Sequence, residues 1–292
     1  MGRRANKRGG SFIRKALLFI FFAAAAFVLF LYWEDVFGPG APRDKSIRPE
    51  VAAPEEPKIG VEEPSVVPIV KPSYRVAVVI DDMGEDMASI TRLLKLDTPV
   101  TVAVLPFLKH SKDVANFAHE GGLEVLLHIP MEPKDLAAND PGKGALLINM
   151  EIKDIRSVLN ADMDAIPYIT GVNNHMGSRF TEDASLMKEV LAEVKERGLF
   201  FLDSKTTGKS KALSAAREAG VRSIGRDVFL DNEQDKEYIK GQLRELIVIA
   251  KRRGRAVAIG HPHAETLAAL EEMMAEFKSE GIEVVRVGDL LE

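Results

Sequence analysis

Two carboxylates stand side by side at Asp81 and Asp82, directly behind the apolar run Val76-Ala77-Val78-Val79-Ile80. Adjacent acids in that position serve either a metal or acid–base site, or a solvated strand end with a capping Asp. Histidine, neutral near pH 7, can hold a divalent ion or move a proton, and it too follows apolar runs here. His128 comes after residues 124–127, His175 after Gly171-Val172-Asn173-Asn174, and His261 and His263 after residues 256–259. Asp203 comes after residues 199–202. Of the 6 histidines only His110 and His119 fall elsewhere, in or beside a helix read as surface. A single histidine behind a strand is an ordinary loop residue; the coincidence of His and Asp behind several strands is not. Pooled, these groups are what one Zn²⁺-type site requires: neutral imidazoles, a carboxylate, and spare acid and base groups. The chain has 0 cysteines, so disulfides and thiolate ligands are excluded and any ion must be held by His, Asp and Glu.

The elements that position these groups have a recurring pattern: a charged helical stretch, a glycine, then an apolar run. It ends at Gly121-Gly122, Gly198, Gly220, Gly254 and Gly281, each followed by a strand-like segment. Glycine just past a helix with Lys or Arg in the last turn is a helix stop. Residues 76–80 and 100–104 supply earlier strands, and their unbroken apolar character marks strands buried on both faces. Alternating helices and buried strands predict a parallel sheet or a (β/α) barrel, whose strands deliver their C-terminal ends to one face.

The chain has 292 residues, is 46% hydrophobic and carries a formal net charge of −5, with no basic domain of the kind that binds nucleic acid. Residues 1–15 are basic (Arg3, Arg4, Lys7, Arg8, Arg14, Lys15) and precede the apolar run 16–33, which Glu34 and Asp35 close. That run would span roughly 27 Å as a helix, close to a hydrocarbon core. The basic flank places it as an inner-membrane, single-pass anchor with the C-terminal domain extracytoplasmic, or periplasmic in a two-membrane envelope. A cleaved signal peptide is the competing reading; the run is long for an h-region, and no small-x-small site follows it. Residues 34–73 are proline-rich and read as a semi-extended linker. Residues 74–292 form the single folded domain.

Five segments of that domain carry a family resemblance: Val79-Ile80-Asp81-Asp82-Met83-Gly84, Leu127-His128-Ile129-Pro130-Met131-Glu132-Pro133, Gly171-Val172-Asn173-Asn174-His175-Met176-Gly177-Ser178, Leu202-Asp203-Ser204-Lys205-Thr206 and Ile259-Gly260-His261-Pro262. Together they resemble the divergent branch of the polysaccharide deacetylases. The resemblance implies a distorted (β/α) barrel that hydrolyses N- or O-acetyl groups on sugars with a divalent metal held by one Asp and two His. It makes Asp82 a metal ligand with His128, Asp81 the catalytic base, His261 the general acid, and Asp203 a residue that orients catalytic groups. The usual enzymes take both metal histidines from one His-x-x-x-His segment, whereas here Glu132 stands four residues after His128. The expected Arg-Pro-Gly segment is also replaced, by Asn-Asn-His-Met-Gly-Ser. His175 is therefore the expected second histidine, compensating from another loop. Backbone N–H groups at Gly84 or Gly177 are candidates for the oxyanion site, and Glu132, Asn174, Arg179 and His263 for substrate contact or tuning. The resemblance implies a divalent ion of the Zn²⁺ kind as cofactor and a polysaccharide or peptidoglycan-like glycan as partner. Two other classes compete: a deacetylase fold that binds envelope carbohydrate without chemistry, and a glycoside hydrolase using paired carboxylates.

Overall fold

The computed structural model describes residues 74–291. The anchor read at 16–33 and the linker at 34–73 lie outside the described residues; among the described residues no helix is long and apolar enough to cross a membrane. Strands and helices alternate. They run β1 (Tyr74–Met83), α1 (Ala88–Leu93), β2 (Thr101–Val104), α2 (Ser111–Glu120), β3 (Glu124–Met131) and α3 (Ile152–Ala165). Next come β4 (Ile169–Met176), α4 (Ala184–Glu196), β5 (Phe200–Asp203), α5 (Ala212–Ala219), β6 (Ser223–Gly225) and β7 (Val228–Phe229). The chain closes with α6 (Lys236–Arg253), β8 (Arg255–Gly260), α7 (Ala264–Ser279) and β9 (Ile282–Val284).

Every strand pairing is parallel. The sheet runs in the order β6-β5-β4-β3-β2-β1-β8-β7, with β9 added beside β1. It curls into a half-barrel with helices outside, in agreement with the expected (β/α) architecture. The two edge strands, β6 and β7, are separated in sequence by only Arg226 and Asp227, so the open side is a seam crossed by the chain itself. No helix intervenes there, which is why the helix–Gly–strand pattern does not reveal β7.

Helix boundaries follow local chemistry. Asp183 caps α4 by accepting from Ser185 N and Leu186 N, and Asp235 caps α6 by accepting from Tyr238 N. Gly220 and Gly254 end α5 and α6 in the left-handed region, at φ of 70° and 83°, which L side chains enter only with strain.

The core has two layers, and they reveal which way each strand faces. Ala77, Val79, Ala103, Leu126, Phe200, Leu202, Val257 and Ile259 pack together inside the curl. Val76, Val78, Ile80, Val125, Leu127, Val172 and Phe201 pack outward against the helices. Because side chains alternate along a strand, odd positions of β1 and β8 point inward, as do even positions of β3 and β5. This parity decides which strand-end residues meet.

One buried acid lies away from those strand ends. Asp162 on α3 is 0% exposed, neither carboxylate oxygen has a partner, and a side chain at Gly144 would collide with it. Burial pushes its carboxyl from 3.8 up to about 8. Such a group favours the native state fully below its unfolded pKa and loses that advantage as pH rises towards 8. Asp162→Asn keeps the shape and stays neutral, so its stability relative to wild type should rise with pH. The two are expected to match near pH 4 and to differ by about 4 kcal/mol in favour of the variant near pH 7. Urea unfolding of both proteins across that range measures it; a pH-independent difference would place a solvated or paired carboxylate there.

Candidate metal and acid–base site

Extending the inward parity two residues past the inner core brings Asp81, His128, Asn173, His175, Ser204 and His261 to one mouth of the half-barrel. The pairing of β3 with β4 sets His128 opposite Asn173 and Pro130 opposite His175, so both histidines share a face. Asp82 has the wrong parity: an extended β1 would aim it at the helices. Its φ of +55°, beside a register shift between Ile80 and Met83, turns it back to the mouth. Asp is among the few residues that tolerate this conformation.

Three ligand atoms converge. Asp82 Oδ1 lies 2.9 Å from His175 Nδ1 and 3.2 Å from His128 Nε2, and those two nitrogens are 3.2 Å apart. Although both rings crowd it, Asp82 Oδ1 is buried without a hydrogen bond, because neither approach has hydrogen-bond geometry. Four ligands at about 2.0–2.2 Å from one tetrahedral ion lie about 3.3 Å from each other, close to these separations. Two imidazoles and a carboxylate with this spacing fit one divalent ion of the zinc kind.

Asn173 organises the layer beneath. Its Nδ2 donates to Asp81 Oδ1 at 2.8 Å, and a carboxylate only accepts, so its Oδ1 must face His128 Nδ1, 2.8 Å away. His128 therefore carries a proton on Nδ1 and turns Nε2 to the cluster; Asp81 and Asp82 favour a second proton there in the absence of an ion, which a bound ion would displace. Asn173 Nδ2 also reaches Ser204 Oγ at 3.3 Å. Asp81 Oδ2 is 3.5 Å from His128 Nε2. Burial holds the Asp81 carboxyl above the usual range, against the opposing pull of His128, His261 and the Asn173 bond. At Asp82 burial acts in the same direction, but the adjoining imidazoles of His128 and His175 outweigh it and hold the group well below that range.

On the other flank, His261 Nε2 is 3.7 Å from Asp82 Oδ2. Its Nδ1 lies 3.0 Å from Asp231 Oδ1, and Asp231 Oδ2 accepts from His261 N at 2.6 Å and Thr266 Oγ1 at 2.8 Å. Burial disfavours charge on the ring, but Asp231, Asp82 and Asp81 overcome this and push its pKa up to about 9. His261 is thus protonated at neutral pH, with Nε2–H towards the mouth.

The profile of the family described as divergent polysaccharide deacetylase matches residues 78–291, nearly all of the described domain. The chain belongs to that family. The uncharacterized protein YibQ of Escherichia coli K12 is 36% identical over 217 residues, covering 74% of this chain and 67% of that one. An uncharacterized protein of Haemophilus influenzae is 33% identical over 216 residues, 74% of this chain and 76% of that one. The crystal structure of uncharacterized protein ATU2773 from Agrobacterium tumefaciens C58 superposes with a TM-score of 0.71 at 30% identity, covering 74% and 89% of the two chains.

Within this member of the family, several residues singled out from sequence lie off the cluster. Asp203 is the main correction. With Phe200 and Leu202 inward, Asp203 points outward, where it accepts from Lys205 N at 2.8 Å and Ser210 Oγ at 2.9 Å. The acid that orients His261 is Asp231, which the sequence reading missed. Its signal was a strand-then-Asp pattern, Val228-Phe229-Leu230-Asp231, without a helix before it. Glu132 is 4% exposed and committed to Ile148 N at 2.8 Å and Arg179 at 3.2 Å, so this pair ties two mouth loops together. Asn174 braces the mouth, accepting from Ser204 N and donating to Met176 O. His263 is the N-cap residue of α7 and lies beside His261, with ring centroids 5.8 Å apart. Gly177 N–H donates to Met131 O at 3.0 Å, so of the two backbone groups considered for an oxyanion it is already engaged.

Proposed function

We propose that the protein is a metal-dependent hydrolase that removes N- or O-acetyl groups from a cell-envelope polysaccharide, held outside the cytoplasmic membrane by the anchor read at residues 16–33. The observation that carries this reading is the convergence of Asp82, His128 and His175, flanked by a buried carboxylate on one side and a protonated histidine on the other. The three ligands would hold a divalent ion, zinc by the chemistry of the set. Such an ion acidifies water and polarises an acyl oxygen.

The remaining steps belong to the protein. Asp81 takes the proton of the attacking water; its raised affinity for a proton suits a base that must accept one in a buried site. Asn173 holds that carboxylate and the His128 tautomer in one gesture. His261 then gives its Nε2 proton to the departing amine or alkoxide, and Asp231 keeps the ring oriented and charged. Ser204 and Asn174 hold the β5 end against β4 so that these groups keep their spacing.

The test is metal analysis of the purified full chain together with acetate release from acetylated glycans. A near-stoichiometric divalent ion and chelator-sensitive acetate release are expected. Bound metal without acetate release from N- or O-acetylated substrates would leave a binding module; absence of metal under every loading condition would sink the hydrolase.

A further inference from the structure

One cavity lies away from the mouth. It has a volume of about 520 Å³, within the range of small-molecule pockets, and lies at the seam where β6 passes into β7. The lapse in helix–strand alternation explains it: with no helix between those strands, α5 and α6 leave a gap over Arg226 and Asp227.

The charges around this gap do not cancel. Its two acids are already satisfied. Asp203 accepts from Lys205 N and Ser210 Oγ, while Asp227 pairs with Arg253 at 2.8 Å and accepts from Val257 N at 3.0 Å. Its other two cations meet only carbonyls. Lys205 Nζ donates to Arg226 O at 2.7 Å; Arg226 donates through Nε to Ser204 O at 2.7 Å and through Nη2 to Lys205 O at 3.1 Å. Among the described residues neither forms an ion pair with a carboxylate. Partial burial disfavours the Arg226 charge, and its guanidinium lies over the Phe229 ring at 4.9 Å. Leu213 and Ile249 give the cavity an apolar wall. Two cations in contact with no carboxylate, although Asp203, Asp81 and Asp227 lie near enough to favour the Arg226 charge, stand beside this apolar wall and suit a ligand with a flat or ring-like body and one anionic group.

We propose that the seam cavity is a binding site for an anionic small ligand, its carboxylate or phosphate oxygens held between Lys205 and Arg226. The site is distinct from the metal cluster and does not depend on the hydrolase reading.

Isothermal titration of the full chain tests this, after the metal has been stripped and the chelator removed so that no anion binds through an ion at the mouth. The probes are inorganic phosphate, glucuronate as a sugar carboxylate, and glucose as the neutral control. Saturable one-to-one binding of phosphate, glucuronate or both is expected, weakening with added salt and absent with glucose. Phosphate alone would assign the phosphate form, and glucuronate alone the sugar acid. Lys205→Met and Arg226→Gln should each weaken binding by at least about tenfold, equivalent to ~1.4 kcal/mol. Lys188→Met, which removes an exposed α4 ammonium paired with Glu218 of α5, should change nothing. If one cavity variant fails to fold, the other decides. No saturable binding of either anion, or binding that the folded cavity variants leave intact, would overturn the proposal.

Discussion

His175→Ala is expected to empty the metal site, lowering metal affinity by more than the 10- to 100-fold, roughly, that follows loss of an outer-shell partner. The variant leaves Asp82 and His128, and two protein ligands do not hold zinc at a catalytic site. Glu132→Gln supplies the contrast. It alters the position where the usual deacetylases keep their second histidine, yet Glu132 is committed to Ile148 N and Arg179, so metal content should be unchanged. Metal analysis of both variants beside wild type, with circular dichroism to confirm folding, reads the difference. Metal lost with Glu132→Gln and retained with His175→Ala would refute the compensation by His175.

The second large effect belongs to Asp231. Asp231→Asn should leave metal content intact, since it touches none of the three ligands, and lower kcat by roughly 10²- to 10⁴-fold, the span of general acid–base catalysis. The pH profile gives the sharper readout. Without an ion His261 is lifted to about 9; a cation on Asp82 offsets part of that lift, so the wild-type rate should fall on an alkaline limb below that value. Without the Asp231 carboxylate, whose hydrogen bond is the leading cause of that lift, the alkaline limb should move towards neutrality. An unmoved limb would mean that His261 is not the proton donor. His261→Ala should lower the rate comparably and remove the limb.

Much of the fold was legible because helix stops and buried parallel strands have strong local signatures. Facing was not. A strand buried on both sides is apolar at every position, so nothing in Leu199-Phe200-Phe201-Leu202 tells the reader whether Asp203 or the following Ser204 points inward. The two-layer core answers it, and the answer removes Asp203 from the site. Asp82 illustrates the converse: it reaches the mouth only through a left-handed turn, a conformation that sequence permits without announcing. Asp231 was missed because β7 comprises only Val228 and Phe229 and follows no helix. Asn173 was visible as a strand-end residue, but a neutral amide carries no charge to advertise its part in fixing a tautomer.

The register between β3 and β4 bears on how such sites change over time. In a parallel sheet, the end of one strand and the end of its neighbour open onto the same small volume. A coordinating imidazole can therefore be lost from one loop and regained from the adjoining one while the coordination polyhedron scarcely moves. His175, opposite Pro130, occupies such an exchange position. Consecutive spacing along the chain is then a poor ruler of ancestry for these centres. Two homologues can share every contact of the ion and no contiguous motif, and comparing them by sheet layer rather than by sequence distance restores the correspondence.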